Sequence, residues 1–485
     1  MKLDTSTDPQ VGFRPPGSLD EASALLRYEG PLTRRQAAHL VRRAAFGATA
    51  PELDALAGLE ATAAVDTVLH PTGPDADLVG YPDAASLYDP KVRNNVAEMW
   101  WLDRMLRTRR PFVEKMTLFW HGHFATSLGK VPANLMVEQI DLFRAEGLGD
   151  FRALLLAVSK NPAMLLWLDN RANAKAHPNE NFAREVMELF ALGLGNYRED
   201  DVKNAARAFT GWTLDKELRF VFRPEMHDDG VKTFLGKSGN FGGEDIVGII
   251  AQQPVHQRFI CRKLLEFFVY SDPEPELVEA LARTYALSGY DIAQTVGTVL
   301  RSNVFFSTRA YRALPKSPIE LVIGLLRFMQ VEAVPKDTVA WLRRMGQDPL
   351  SPPSVKGWDG GPTWINTGSL LARFNYVNRI VKAAPPPARA GTMTAAASAD
   401  LATFPAFGPD QIVRRAGGLD ANRILAQIAR DAVQDDVTSD VRSTIEDYLQ
   451  SVGASVPQAF GPENYEDRIR GALALTLNLP SNQLN

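Results

Sequence analysis

Apolar residues recur at intervals of three and four along most of the chain, which is the pattern of amphipathic α-helices. The stretch 92–109 shows the pattern clearly, with Val96, Met99 and Trp100 on one side. The same period returns near the end of the chain, over the segments 422–433, 438–449 and 466–477. The chain is therefore predicted to be mainly α, as a large multi-helix domain with one small β-hairpin and a C-terminal helical layer.

The β-hairpin is predicted where the helical period is interrupted. Residues 218–223 alternate, with Leu218, Phe220 and Phe222 on one side, as in a strand with one buried face. Residues 232–235 are the predicted partner strand, and a loop lies between the two segments.

The chain is predicted to divide into three parts. Residues 1–382 form the main helical domain and contain the polar motifs described below. Residues 383–410 are rich in Ala and Pro, which is typical of a linker. Residues 411–485 are expected to form a helical segment that packs on the main domain.

Composition restricts the classes of function. Of the 485 residues 45% are apolar and 23% charged, as in soluble globular proteins, and the net charge of −4 gives no electrostatic basis for binding nucleic acid or an anionic membrane. The sequence has no run of about 18 apolar residues, so no membrane span is predicted. The first residues lack the apolar core of a signal peptide, so a cytoplasmic location is expected, or export if a leader was removed.

The first candidate motif is a helix within residues 177–190 that has one strongly polar face. At about 100° per residue, that face is predicted to hold Glu180, Asn181, Arg184, Glu185 and Glu188. Glu185 and Glu188 are one turn apart, so both carboxylates could bind one metal ion. The simpler alternative is an exposed helix with ion pairs at four-residue spacing.

The second motif is His121-Gly122-His123 at the end of a predicted helix. Two histidines at this spacing point about 200° apart on a helix, so they converge only if the helix ends at Gly122. Their apolar neighbours would make a shielded site for a transition metal. The alternative is a pair of core histidines with satisfied hydrogen bonds.

The third motif is His227-Asp228, which lies in the predicted hairpin loop. Histidine and aspartate together suit zinc, manganese or iron. The alternative is a turn closed by the Asp228 side chain, with no ligand role for His227.

These motifs predict a metal-dependent enzyme that is expected to be hydrolytic. Its divalent ion (zinc, manganese or iron) would be bound by three or four members of one group, namely His121, His123, Glu185, Glu188, His227 and Asp228. Glu180 would act as a general base or as an acceptor behind the ligands, and Arg184 would hold an anionic group.

Two other functions remain open. One is a metal-free carbohydrate-active enzyme with paired carboxylates, in which Trp120, Trp212, Trp358 and Trp364 would be sugar platforms. The other is a non-catalytic helical scaffold or accessory subunit.

Taken in order, the motifs resemble a known bacterial family, domain-of-unknown-function family 1800, over about residues 32–382. The resemblance rests on Phe119-Trp120-His121-Gly122-His123-Phe124, Asn179-Glu180-Asn181-Phe182-Ala183-Arg184-Glu185, Ala206-Arg207-Ala208-Phe209-Thr210-Gly211-Trp212, His227-Asp228 and Gly357-Trp358. It implies no established activity. It does imply a neighbouring gene product similar to the alkaline phosphatase and sulfatase superfamily, as a partner, and an export signal in many members. This chain departs from the family at its N-terminus, which lacks a leader, and at Phe190, where many members have histidine.

Overall fold

The computed structural model describes residue 13 and residues 21–72, 84–383, 405–451 and 460–485. Within this part the protein is mainly α, as the sequence predicts, and its β structure consists of two short strand pairs. Among the described helices, none combines the length and the hydropathy that crossing a membrane requires.

The helices are short and follow one another closely. Up to residue 208 they are α1 (Glu21–Ala24), α2 (Arg34–Ala44), α3 (Ala50–Leu56), α4 (Ala61–Leu69), α5 (Asn94–Arg107), α6 (Pro111–His123), α7 (Ala133–Glu146), α8 (Phe151–Lys160), α9 (Pro162–Trp167), α10 (Glu180–Glu188) and α11 (Glu199–Ala208). After the strands come α12 (Gly243–Ala251), α13 (Pro254–Phe268), α14 (Pro275–Leu287), α15 (Ile292–Leu300), α16 (Pro318–Phe328), α17 (Thr338–Arg344) and α18 (Thr367–Lys382). The C-terminal helices are α19 (Pro409–Ala416), α20 (Ala421–Val433), α21 (Ser439–Gln450) and α22 (Tyr465–Leu477).

Local sequence explains where several of these helices begin. Thr33 and Gln36 form a reciprocal capping box at the start of α2. Pro318 occupies the first turn of α16, where its missing N–H costs nothing, and Ser317 caps the same helix. Asn179 caps α10, because its side chain accepts a hydrogen bond from the backbone N–H of Asn181.

The predicted strand pairing is wrong. Strand β2 (Phe220–Phe222) pairs antiparallel with β1 (Trp212–Leu214), and β3 (Lys232–Phe234) pairs with β4 (Lys237–Gly239). Each strand therefore pairs across a short connection, which requires less chain closure than the predicted pairing of 218–223 with 232–235. Leu218 lies in the first turn rather than in a strand, at φ 59°.

The C-terminal helices contact the N-terminal part of the chain. The buried apolar residues form one continuous cluster that includes Leu40 of α2 and Leu473 of α22. Polar contacts add to it, because Arg34 pairs with Asp431 and Arg35 donates to the backbone carbonyl of Gln434. Most of the predicted linker, residues 384–404, lies outside the described residues.

A candidate site under the loop 352–361

Helix α10 has the amphipathic character that the sequence predicts. Phe182, Val186 and Met187 are buried, and the charged side chains lie on the opposite side. Those charged side chains have separate hydrogen-bond or ion-pair partners. Arg184 donates two hydrogen bonds to Glu199 (2.7 and 2.8 Å), and it lies 3.9 Å from Glu180.

The two carboxylates proposed as metal ligands on α10 are near each other. Burial, followed by the negative charge of Glu188, raises the pKa of Glu185. Glu188 accepts a hydrogen bond from the hydroxyl group of Tyr197. The carboxylates of Glu185 and Glu188 therefore repel each other, but Glu188 already has the Tyr197 hydroxyl group as a hydrogen-bond partner.

The two histidines do not converge. Helix α6 continues through Gly122 to His123, so it carries the two rings to opposite sides of the helix. The wholly buried ring of His121 lies between Trp101 (5.2 Å between ring centroids) and Trp358 (5.6 Å). Neither of its nitrogens has a hydrogen-bond partner. Burial lowers the pKa of His121 to about 3, so the ring is neutral at pH 7.

His123 faces another part of the core. Its Nε2 is 3.0 Å from the backbone carbonyl oxygen of Phe190, and its ring lies among Phe124, Phe190 and Phe259. Burial, with the positive charge of Lys263 as the next contribution, lowers the pKa of His123 well below its usual value. Both histidines are therefore neutral core residues. They differ in their hydrogen bonds, since among the described residues both ring nitrogens of His121 lack a partner, whereas Nε2 of His123 has one.

The third motif also forms its own contacts. His227 donates from Nδ1 to the backbone carbonyl of Thr210 (2.8 Å). Arg207 donates two hydrogen bonds to Asp228 (2.7 and 3.0 Å), and these bonds lower the pKa of Asp228 to about 2. Asp228 also accepts from the N–H of Gly230, as in the turn that the sequence offered as the alternative.

The predicted metal ligands therefore do not fit a common ion. Among the described residues, no group of three or more His, Cys, Asp and Glu side chains is placed to hold a metal. His121 and His123 point apart, Asp228 is paired with Arg207, and Glu188 is bonded to Tyr197.

A buried acid pair was missed at the sequence level. Glu98 of α5 is 1% exposed and shares Arg343 with Asp348. Arg343 donates to Glu98 Oε1 and to Asp348 Oδ2, both at 2.8 Å. Glu98 Oε2 and Asp348 Oδ1 are buried and accept from no N–H or hydroxyl donor of the described residues, and the two acid side chains interact with each other. Burial and then the charge of Asp348 raise the pKa of Glu98 to about 7, against the effect of Arg343.

The loop 352–361 packs directly on the end of α6. Gly357 has φ +85°, and a Cβ atom there would lie 2.2 Å from the carbonyl oxygen of Gly122, so only glycine fits. The next residue, Trp358, contacts His121 and also faces outward into a cavity. The close backbone contact therefore fixes the position of one wall of this cavity.

We name this space of about 210 Å³ the loop cavity. It is lined by Arg344, Met345, Gly346, Pro353, Trp358, Asp359, Thr363, Trp364, Asn366 and Ser369. Two indoles, a guanidinium, a carboxylate and an amide thus share one small cavity. One member of the acid pair, Asp348, is close in sequence to this cavity, because Arg343 and Asp348 flank a segment that lines it.

The fold and the loop cavity define a mainly α protein with a small aromatic and polar site. The match to a family model, "Protein of unknown function (DUF1800)", extends over residues 39–484, and the chain belongs to this family. The match confirms the resemblance that the motifs carry. Comparison with curated proteins and with solved structures gives no match.

Proposed function

We propose that this protein is a metal-free carbohydrate-active enzyme and that the loop cavity binds one sugar unit of its substrate. The observation that carries the proposal is the pair of indoles, Trp358 and Trp364, on a cavity that also presents Arg344, Asp359 and Asn366. Aromatic faces suit the apolar C–H face of a sugar ring, and planar polar groups suit its hydroxyl groups.

The size of the cavity supports a small polar ligand. Its volume of about 210 Å³ is below the roughly 300–1,000 Å³ of sites for drug-sized molecules. A single sugar ring fits this scale better than an extended cofactor does. The rest of an oligosaccharide would lie outside the cavity.

The acid pair would supply the proton for cleavage of a glycosidic bond. With a pKa of about 7, Glu98 holds a proton near neutral pH, which suits general acid chemistry. Glu98 is buried and lies outside the lining of the loop cavity, so the proposal requires Asp348, whose side chain is 29% exposed, to pass the proton toward the substrate.

The two acids would act as one proton-holding unit. The two catalytic carboxyl groups of a glycosidase lie on either side of the scissile bond, about 5–9.5 Å apart. Glu98 and Asp348 are closer than that, because they interact directly. The carboxylate that lines the cavity is Asp359, which pairs with Lys356 at 2.8 Å. Asp359 is therefore the group proposed to hold the attacking water.

The test is hydrolysis of a panel of oligosaccharides by the full chain, measured as reducing-sugar release in EDTA. Activity is expected, with Trp358→Ala and Trp364→Ala lowering kcat/KM at least tenfold. Trp167→Ala is the matched control, because Trp167 lies at the end of α9 and does not line the loop cavity, so this change should leave kcat/KM unchanged.

Two results would contradict the proposal. One is the absence of both hydrolysis and glycan binding across the panel. The other is a hydrolytic activity that EDTA abolishes and that zinc or manganese restores, which would favour the metal-dependent enzyme instead.

A second candidate is the scaffold or accessory subunit, which the separate pairing of the α10 side chains favours. Arg184 is held by Glu199 and Glu188 by Tyr197, as in a structural surface. This candidate predicts that His121→Ala reduces stability, because it leaves a space between Trp101 and Trp358, without affecting any turnover. Co-purification with a phosphatase- or sulfatase-like protein, which Trp358→Ala does not disturb, would support it over the enzyme.

A further inference from the structure

A second cavity lies far along the chain from the loop cavity, between the N-terminal and C-terminal helices. Its volume is about 70 Å³, and its lining includes Arg42 of α2, Lys316 just before α16, Gln434 after α20, and Asn482. A buried water needs at least about 10–15 Å³ on this measure. The cavity therefore has room for several waters or one small ion.

Arg42 presents unpartnered donors to this cavity. The side chain is about nine-tenths buried, and its Nη1 donates to Gln434 Oε1 at 2.8 Å. Its Nε and Nη2 are buried and have no hydrogen-bond partner among the residues that the structure describes. An unpartnered buried donor on a charged group is costly, so an acceptor for these two nitrogens is expected.

The second cation of the cavity also has only neutral partners. Lys316 donates from Nζ to the backbone carbonyl of Asn482 (2.8 Å) and to its Oδ1 (3.2 Å). Burial, and then the positive charge of Arg42, lower the pKa of Lys316 well below its usual value. The two cations therefore repel each other across the cavity, and no carboxylate forms an ion pair with either one in the described part of the chain.

Two further buried arginines increase the positive charge. Arg43 donates from Nη2 to the carbonyl groups of Val269 and Ala310. Arg373 donates to the carbonyl of Lys316 at 2.8 Å and to Gln483 at 3.4 Å. The hydrogen-bond partners of these two guanidinium groups are neutral oxygens, and Glu320 is the carboxylate that acts on the charge of both.

The acids that face this region are already paired. Glu320 is held by Lys115, and it is the one carboxylate that acts on Arg43, Lys316 and Arg373 together. Asp431, on the cavity wall, pairs with Arg34 and Arg415.

The third acid, Asp436, pairs with Arg312 and accepts from the Tyr311 hydroxyl group. Burial and the like charge of Arg312 lower the pKa of Arg42 to about 10, and Asp436 opposes this lowering only as a minor contribution. A further negative charge in the cavity would therefore stabilise this buried cluster.

We propose that this cavity is a binding site for one inorganic oxyanion of the phosphate or sulfate type, bound by Arg42 and Lys316. The anion would accept from Arg42 Nε and Nη2, which form the paired donors that suit tetrahedral oxyanions. It would join α2 to the segments that precede α16 and follow α20, and so act as a structural ligand.

The experiment is thermal unfolding of the full chain with increasing phosphate, with sodium chloride at matched ionic strength as the reference. We expect a saturable rise in melting temperature of a few degrees with phosphate and with sulfate. Isothermal titration calorimetry at 25 °C should give one site per chain. Arg42→Gln should weaken phosphate binding at least tenfold and abolish the rise.

Arg379→Gln is the matched control, because Arg379 forms an ion pair with Asp337 away from the cavity. It should keep the phosphate response of the wild type. If Arg42→Gln does not fold, the wild-type titration still decides the matter, because absence of calorimetric binding overturns the proposal. A response to chloride equal to that to phosphate also overturns it. Neither result bears on the carbohydrate assay, which depends on a different cavity.

Discussion

Replacement of Glu98 by glutamine should change how the stability of the protein depends on pH. The Glu98 carboxyl titrates near pH 4.5 in an unfolded chain and near 7 in the folded protein, because it is buried beside Asp348. Between these values the folded state holds a proton that the unfolded chain has released, so stability decreases as pH rises. The contribution is fully present below about pH 4.5 and is lost above about pH 7.

The magnitude follows from the size of the shift. A shift from 4.5 to about 7 corresponds to no more than about 3 kcal/mol. The partly exposed Arg343 and Asp348 side chains allow solvent screening, which reduces the expected effect to about 1–2 kcal/mol. Glutamine cannot titrate, and its amide can still donate to Asp348. The stability of Glu98→Gln relative to wild type should therefore increase by that amount between pH 4.5 and pH 8.

The assay is urea unfolding followed by tryptophan fluorescence at several pH values, with the midpoint compared between the two proteins at each pH. Glu332→Gln is the matched control, because Glu332 is exposed, and its profile should follow that of the wild type. Parallel profiles for wild type and Glu98→Gln would refute the reasoning, since they would mean that the acid pair does not hold a proton at neutral pH.

Two further substitutions test the packing that surrounds these sites. Gly357→Ala should cost about 2–4 kcal/mol, because its Cβ would overlap the carbonyl oxygen of Gly122, whereas Gly58→Ala, at φ +89° with open space, should cost only the backbone strain; chemical denaturation separates the two. Lys115→Met should cost about 3–5 kcal/mol by leaving Glu320 buried without its partner, and adding Glu320→Gln should recover part of the loss. An equal effect of the two glycine variants, or an unchanged midpoint for Lys115→Met, would contradict these expectations.

The elements that sequence reasoning found are those whose signal is local. Helices α20, α21 and α22 begin and end within one residue of their predicted bounds, because each carries its own apolar stripe, whereas α19 was not predicted. Strand β1 was missed because Trp212, Thr213 and Leu214 are all buried and show no alternation. The pairing of β1 with β2 is determined by the short turn between them, and the apolar pattern contains no information on that turn.

Trp358 and Trp364 of the loop cavity were among the predicted sugar platforms, but the acid pair was missed for a different reason. Glu98 and Asp348 lie 250 positions apart in the sequence, and nothing local joins them. A signal did exist, because Glu98 stands on the apolar side of a helix close to Trp100 and Trp101, where an unpaired charge is costly. The polar motifs that attracted attention instead, on α10 and at His227, have pairing partners that the sequence alone could not assign.

The contacts between α2 and the C-terminal helices also determine the order in which this chain can be completed. Arg34 and Asp431, which form an ion pair, are separated by 397 positions. At synthesis rates of about 5–20 residues per second, α2 leaves the ribosome roughly 20–80 s before that partner exists. During that interval the arginines and the apolar face of α2 lack their final neighbours, so α2 is expected to need protection by a chaperone or temporary contacts. The native contacts of α2 can therefore form only after the segment that contains Asp431 has been made.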